Sequence, residues 1–183
     1  DEETGMVLYL KSGYRSYGTQ STTYANYLAR NNNVDDGYVA KPGSSEHQTG
    51  ICADILNGDY AGRPTMTQDF KWTPEAQWMK ENCDTFGFIL RFLEEKEDVT
   101  GIKFEPWHFR YVGAPHAQLM ETNGLCLEEY RDLLRQGPRS VALENGRMAQ
   151  VFYVPAAGAV TEVEVPEGCC QISGDNVEVF ILT

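Results

Sequence analysis

The sequence contains few histidines and few basic residues, and the shortage of basic residues argues against two classes of partner. Its 183 residues include three histidines, and 15 lysines and arginines stand against 27 acidic residues, for a formal net charge of −12. A surface this acidic repels phosphate backbones and anionic lipid headgroups, so we expect neither nucleic acid nor a charged membrane surface as a partner. No apolar run approaches the roughly 18 residues that a membrane-spanning helix needs.

The sequence also lacks a visible signal peptide and the cysteine pairs of a zinc ribbon. It opens with DEETGMVLYL, which resembles an internal or trimmed start, so a membrane anchor upstream stays open. The five cysteines are odd in number and form no CxxC pair, which leaves a zinc ribbon without support. Buried or free thiols are the favoured interpretation: a bond between adjacent Cys169 and Cys170 is strained, and a Cys83–Cys126 bridge is left open.

Breaker residues and hydrophobic periodicity divide the chain near Pro138. Before it, one helix has especially clear signals, with Thr73 as its N-cap, Pro74 at its first position and Gly87 at its end. We predict strands over 6–10 (buried), 51–56, 88–93 and from 102 onward, and helices over 21–31, 73–87, 115–124 and 126–137. The polar segment over 31–50 is long for a plain connection and predicts a functional loop.

After Pro138 the pattern changes to short alternating strands. MAQVFYVP, TEVEVP, CCQIS and NVEVFILT are typical of strands, and SGDN (173–176) is typical of a hairpin turn. No helix signal remains in this segment. We therefore predict two domains, a main one over 1–137 and a small β-rich appendage over 138–183.

One of the three histidines, His47, lies in the polar stretch SSEHQTGICAD (44–54), seven residues before Asp54. An imidazole nitrogen and a carboxylate oxygen both suit zinc. Gly50 allows the chain to fold back, so that both side chains can face one point. A single histidine in a polar loop is more often a solvated surface residue, so this pair alone does not establish a metal site.

A second stretch, EPWHFRYVG (105–113), adds His108 and, three residues before it, Glu105. Two histidines and one aspartate would leave a fourth position open, which is typical of catalytic rather than structural zinc sites. Glu105 is then a candidate general base. Residues 105 and 108 point to opposite faces of a regular strand, but Pro106 predicts a bend that turns both of them inward.

The remaining candidates are weaker when each is taken alone. Arg15 lies in the turn SGYRSYGTQ, where Tyr14 and Tyr17 could fix its guanidinium for stabilising an oxyanion, although most arginines in turns are solvated. His116 opens a helix, and we predict that it is exposed and unliganded. Trp107 is predicted to pack against neighbours or to form a pocket wall.

Together, SGYRSYGTQ, PGSSEHQTGICADI and GFILRF…TGIKFEPWHFRYVG…LEEY resemble the zinc D-alanyl-D-alanine carboxypeptidases of the VanY type. These are related to D,D-dipeptidases and L,D-carboxypeptidases that share a hedgehog-like fold. The resemblance runs from about residue 7 to residue 136, and its combined SxHxxGxxxD and ExxH motifs are highly specific. Segment 138–183 lies outside it.

The resemblance implies a role for each candidate residue. His47, Asp54 and His108 correspond to the zinc ligands of that family. Glu105 corresponds to its catalytic base, and Arg15 to the residue that stabilises the tetrahedral intermediate.

The resemblance also implies a fold and a reaction. The fold is α+β, with an antiparallel central sheet that carries the zinc site and helices packed outside it. The reaction removes the terminal D-Ala from peptidoglycan stem peptides ending in D-Ala-D-Ala, which places the protein at the cell envelope, and Ser45 and Gln20 are implied to help hold this substrate. D,D-dipeptidase, L,D-carboxypeptidase or endopeptidase activity stays open, as does a non-catalytic zinc-bearing wall-binding module, against which Glu105 and Arg15 argue.

Overall fold

Two four-stranded antiparallel sheets and six α-helices make up the part of the chain that the computed structural model describes, residues 5–143, 146–165, 171–174 and 179–182. The strands are β1 (Leu8–Ser12), β2 (Cys52–Asn57), β3 (Phe88–Leu90), β4 (His108–Tyr111), β5 (Arg139–Ala142), β6 (Met148–Pro155), β7 (Ile172–Gly174) and β8 (Val179–Leu182). The helices are α1 (Tyr17–Arg30), α2 (Gly58–Ala61), α3 (Pro74–Asn82), α4 (Glu97–Thr100), α5 (Ala114–Asn123) and α6 (Leu127–Arg135).

The first sheet has the order β1-β2-β4-β3, and all of its neighbours run antiparallel. Its two central strands pair in a register that places Asp54 directly opposite His108. Because side chains opposite each other in an antiparallel pair lie on the same face, this register brings two of the predicted ligands together. The α+β architecture expected from the sequence is confirmed.

Strand β1 differs from its prediction. The apolar run over 6–10 predicted a buried strand, but β1 is an edge strand whose side chains are largely exposed, Leu10 by 68%. Strand propensity depends on the residues themselves, whereas burial depends on what packs against them. Here β1 pairs with β2 on one side only, and no other strand covers its second edge within the described residues.

Several predicted boundaries shift in the structure for local reasons. Helix α1 begins at Tyr17, four residues before its predicted start, because the Ser16 side chain accepts a hydrogen bond from the Thr19 amide and caps it. Helix α3 has the predicted Thr73 cap but ends at Asn82, and a 3₁₀ helix over 83–86 continues to Gly87. The predicted strand over 88–93 is regular only to residue 90, and the strand predicted from 102 begins at 108, after the proline.

Gly87 provides a test of how tightly this region is built. Its φ is +78°, and a Cβ there would lie 2.9 Å from the Ala114 amide nitrogen, whereas Gly124 (φ +61°) has nothing within 4 Å. In both Gly87→Ala and Gly124→Ala, the new alanine has to adopt a left-handed backbone conformation, which costs about 1–2 kcal/mol of stability. We expect Gly87→Ala to lower the free energy of unfolding by more than Gly124→Ala in chemical denaturation, because only the former also meets backbone. If both variants lost the same free energy of unfolding, the close approach between position 87 and the Ala114 backbone would be contradicted.

A hydrophobic cluster joins the β-rich segment to the rest of the molecule. Val151 of β6 is fully buried with residues of β3, α5 and α6, namely Ile89, Ala117, Leu119, Met120, Tyr130 and Leu134. The boundary at 137/138 stays a prediction, and the predicted SGDN turn lies partly outside the described residues. Cys83 and Cys126, left open as a pair, are both free thiols, and Cys169 and Cys170 lie outside the described residues.

Among the described residues, none of the helices combines the length and the apolar character that a membrane crossing requires.

Candidate metal centre and active site

Three buried side chains meet where β2 and β4 pair. Asp54 and His108 come from the two strands, and His47 comes from a 3₁₀ helix over 46–49 that ends at Gly50 with a φ of +75°. Oδ2 of Asp54 lies 3.3 Å from Nε2 of His47, and Oδ1 lies 3.1 Å from Nδ1 of His108. All three are at most 3% exposed. The fold therefore brings the predicted ligand set together.

In each imidazole, one nitrogen contacts Asp54 and is called the inner nitrogen here, and the other, outer nitrogen faces a hydrogen-bond acceptor. Nδ1 of His47 lies 2.6 Å from the Gly13 carbonyl oxygen, and Nε2 of His108 lies 3.4 Å from a carboxylate oxygen of Glu46. A ring that donates from its outer nitrogen presents a lone pair on its inner one, and such outer contacts are typical of metal-binding histidines. Two inner nitrogens and the carboxylate between them therefore form a donor set that fits zinc.

Electrostatics in the centre also favour a cation. Burial alone would lower the pKa of His47, but the hydrogen bond and charge of Asp54 outweigh it and raise this pKa to about 9. Burial likewise opposes charge on His108, whose pKa is nevertheless raised by Asp54 and its other neighbours. Burial raises the pKa of Asp54, but the hydrogen bonds and charges of the two imidazoles outweigh this effect and lower the pKa to about 2. The carboxylate therefore stays ionised, and positive charge beside it is stabilised.

Cys52 is a further donor at this centre that the sequence prediction missed. One ligand atom each from His47, Cys52 and His108 lie within 4.8 Å of one another. Cys52 precedes Asp54 by two residues on β2, and residues two apart on a strand share a face. This period of two in GICAD was the sequence signal that could have identified it.

Glu105 reaches the centre from a bend before β4. The His108 amide donates to the Glu105 carbonyl over 3.1 Å, which closes the turn predicted at Pro106, and Oε2 of Glu105 lies 3.5 Å from Nδ1 of His108. Glu105, Asp54 and His108 form a second group of donor atoms within 4.8 Å. Burial raises the pKa of Glu105 to about 8, with nearby positive charges opposing it, so this carboxylate readily accepts a proton.

These side chains open into a cavity of about 750 Å³ whose wall includes Arg15, Ser45 and Trp107. The Arg15 amide donates to the His47 carbonyl over 3.0 Å, which ties the SGYRS turn to the metal-binding loop. Two buried donors in this wall, Nε of Arg15 and Nε1 of Trp107, have no acceptor among the described residues. A buried donor without an acceptor is costly, so these two nitrogens are unsatisfied polar groups of residues that line the cavity.

The two residues predicted to hold the substrate, Ser45 and Gln20, occupy different positions relative to the cavity. Ser45 is 5% exposed and lines the cavity. Gln20 is fully buried behind the wall, where its Nε2 donates to the Ala40 carbonyl over 2.6 Å, and it is Ala40 that lines the cavity. Gln20 thus supports the wall and does not form it.

A charged network beside His108 was not predicted from the sequence. Oε1 of Glu46 lies 2.7 Å from Nε of Arg91 and 3.0 Å from Nη1 of Arg110. Arg91 also forms two hydrogen bonds to Glu128, of 3.0 and 2.6 Å. Burial raises the pKa of Glu46, but His108 and the two arginines lower it to about 2. Four sequence-distant residues form this network, so no local pattern announces it.

His116 lies elsewhere, in α5. Its Nδ1 is 2.8 Å from the Tyr130 hydroxyl, and burial lowers its pKa to about 4. It is half-buried and not exposed as predicted, because its ring contacts the Tyr130 side chain of α6. It is not among the residues that line the cavity.

Comparison with known proteins identifies the family of this chain. Residues 1–114 match the model of the VanY family, described as D-alanyl-D-alanine carboxypeptidase. A D-alanyl-D-alanine carboxypeptidase of Enterococcus faecium is 35% identical over 175 residues, which cover 95% of this chain and 52% of that protein. The chain thus spans about half the length of this relative. This match includes much of the β-rich segment, so the expectation that 138–183 lies outside the resemblance was wrong.

Two solved structures are also similar. One is the vancomycin-resistance D,D-dipeptidase VanXYg in complex with a D-Ala-D-Ala phosphinate analog, with a TM-score of 0.87, 34% identity, and coverage of 98% of this chain and 74% of the other. The other is a point mutant of the vancomycin-resistance D,D-pentapeptidase VanY in complex with Zn(II), with a TM-score of 0.59, 33% identity, and coverage of 71% and 74%. The chain belongs to the VanY family of D-alanyl-D-alanine carboxypeptidases.

Proposed function

We propose that the protein is a zinc-dependent D-alanyl-D-alanine carboxypeptidase that removes the terminal D-Ala from peptidoglycan stem peptides. The observation that carries this proposal is the placement of Glu105, 3.5 Å from a predicted metal ligand, in the same cavity wall as Arg15. A structural metal site needs neither an adjacent base nor an arginine with an unpaired buried Nε. Membership of the VanY family supports the same chemistry.

The residues divide the reaction between them. His47, Asp54 and His108 would hold zinc, which when bound polarises a scissile carbonyl and lowers the pKa of water. Glu105 takes the proton from the attacking water and delivers it to the leaving amine of D-Ala. Arg15 donates from its buried Nε to the oxygen on which negative charge develops, a contact that preorganised donors make strongest in the transition state.

Recognition of the D-Ala-D-Ala end falls to the cavity wall. Ser45 contacts the substrate directly, and Trp107 offers its unpaired Nε1 as a donor. Gln20 acts indirectly, because its hydrogen bond to the Ala40 carbonyl fixes the wall that the peptide meets. The proposed substrate lies outside the cytoplasm, so we place the protein at the cell envelope.

A D,D-dipeptidase is the second candidate. The specific observation in its favour is the similarity to a D,D-dipeptidase structure over 98% of the chain. L,D-carboxypeptidase and endopeptidase activity share the scaffold and are separated by substrate alone. The non-catalytic wall-binding module is disfavoured by the positions of Glu105 and Arg15.

A substrate panel separates these candidates. We expect D-Ala release from a pentapeptide stem, little release from a tetrapeptide stem, and loss of activity on chelation with recovery on adding zinc. The measurement is free D-Ala by chromatography, with free D-Ala-D-Ala as a parallel substrate. Preferential hydrolysis of the free dipeptide would replace the first candidate by the second, and binding of zinc and wall peptide without turnover would favour the binding module.

A further inference from the structure

Glu46 contacts the metal centre without belonging to the predicted ligand set. It is the first residue of the 3₁₀ helix that carries His47, and its side chain is 14% exposed. One carboxylate oxygen, Oε1, faces both Arg91 and Arg110, at 2.7 and 3.0 Å. The other, Oε2, faces Nε2 of His108 at 3.4 Å. The two arginines thus use one oxygen and leave the second for the imidazole.

The arginines hold this carboxylate in a fixed place. Arg91 is 6% exposed and lies between Glu46 and Glu128, with two hydrogen bonds to the latter. Two parallel hydrogen bonds between a guanidinium and a carboxylate fix orientation as well as distance. Glu128 lies in the first turn of α6, beyond the residues 1–114 that match the family model. A helix outside that match therefore anchors a contact to the metal centre.

The charges of this network cancel. Glu46 and Glu128 carry one negative charge each, and Arg91 and Arg110 one positive charge each. Because each of these guanidiniums already faces a carboxylate, the network is poorly suited to capturing the carboxylate of a substrate. The Oε2 atom of Glu46, which faces His108, is free of the arginines and can orient the imidazole ring.

We propose that Glu46 is a positioning residue that accepts a hydrogen bond from the Nε2–H of His108 and thereby directs Nδ1 toward Asp54 and the metal. Arg91, Arg110 and Glu128 hold Glu46 in place. This inference rests on the proposed zinc site. A carboxylate behind a metal-binding histidine fixes its tautomer and ring orientation, and removing such a partner typically weakens metal binding about 10–100-fold.

The first test measures the tautomer and needs no variant. Long-range ¹H–¹⁵N correlation spectra of the zinc-loaded protein report which ring nitrogen carries the proton, and three histidines give a simple spectrum. We expect the proton of His108 on Nε2 and that of His47 on Nδ1. A zinc-loaded protein with His108 protonated on Nδ1 would overturn the proposal.

The second test measures zinc affinity by competition with a chromophoric chelator. We expect Glu46→Ala to bind zinc about 10–100-fold more weakly than the wild type, and Glu46→Gln, which keeps an acceptor oxygen, to recover part of the loss. Glu128→Gln should weaken zinc binding less than Glu46→Ala does. The adjacent Glu129 pairs with Lys96 and not with Arg91, so Glu129→Gln should leave zinc affinity unchanged. If Glu46→Ala fails to fold, Glu46→Gln and the tautomer measurement still decide.

Failure of this inference can be told apart from failure of the proposed function. A wild type that binds zinc and releases D-Ala, with Glu46→Gln and Glu46→Ala binding zinc as tightly, would overturn the positioning role and leave the function intact. A wild type without zinc affinity would overturn both.

Discussion

Glu105→Gln is expected to lower kcat about 10²–10⁴-fold, the usual contribution of a general base, while zinc stays bound. Glutamine keeps the size and shape of the side chain but cannot take a proton from water. Since Glu105 borders the predicted ligands without belonging to that set, KM should change little. The measurement is steady-state kinetics on a pentapeptide stem, together with the metal content of the purified variant.

A charge-matched variant controls for this prediction. Glu121→Gln removes the same charge at an exposed position on α5 and should leave kcat unchanged. Near wild-type turnover by Glu105→Gln would show that another group accepts the proton. Loss of zinc from Glu105→Gln would instead mean that Glu105 is a ligand, which its proximity to Asp54 and His108 makes a meaningful alternative result.

His47→Ala is expected to abolish zinc binding at micromolar metal and, with it, D-Ala release. Removing one of three ligands leaves Asp54 and His108 too few to hold the ion with the affinity of a complete site. In thermal unfolding, the wild type should gain stability with added zinc, by about 2.7 kcal/mol at 100 times its dissociation constant, and the variant should gain far less.

The third histidine supplies the control. His116 lies in α5 against Tyr130 and does not line the cavity, so His116→Ala should lose stability but keep its zinc-dependent gain. Retention of that gain by His47→Ala would contradict the predicted ligand set. It would also indicate that Cys52 binds the ion in place of His47, since its Sγ lies within 4.8 Å of a ligand nitrogen of each histidine.

The elements with local signals were predictable, and those that depend on distant partners were not. Thr73, Pro74 and Gly87 bracket a helix because capping acts within one turn, and α3 begins where they indicate. The apolar run of β1 predicted a strand correctly but its burial wrongly. Burial follows from the packing of segments far apart in sequence, which composition does not encode.

The site shows the same division. Motif spacing selected His47, Asp54, Glu105 and His108, and the resemblance assigned them roles that remain proposals. Cys52 had a usable signal, because it lies two residues before Asp54 on the same strand face. The Glu46 network had none: its partners come from β4, α6 and the residue after β3.

By itself, the sequence determined the family and most of the strands and helices before Pro138. It also selected the residues that are proposed to bind zinc and to move a proton. These depend on side-chain chemistry and short spacings. Tertiary structure alone decided that Asp54 pairs with His108, that Gln20 lies behind the cavity wall, and that Glu46 contacts His108. The physical reason is that distances between side chains on different segments are set by sheet register and packing, which arise only when the whole chain folds.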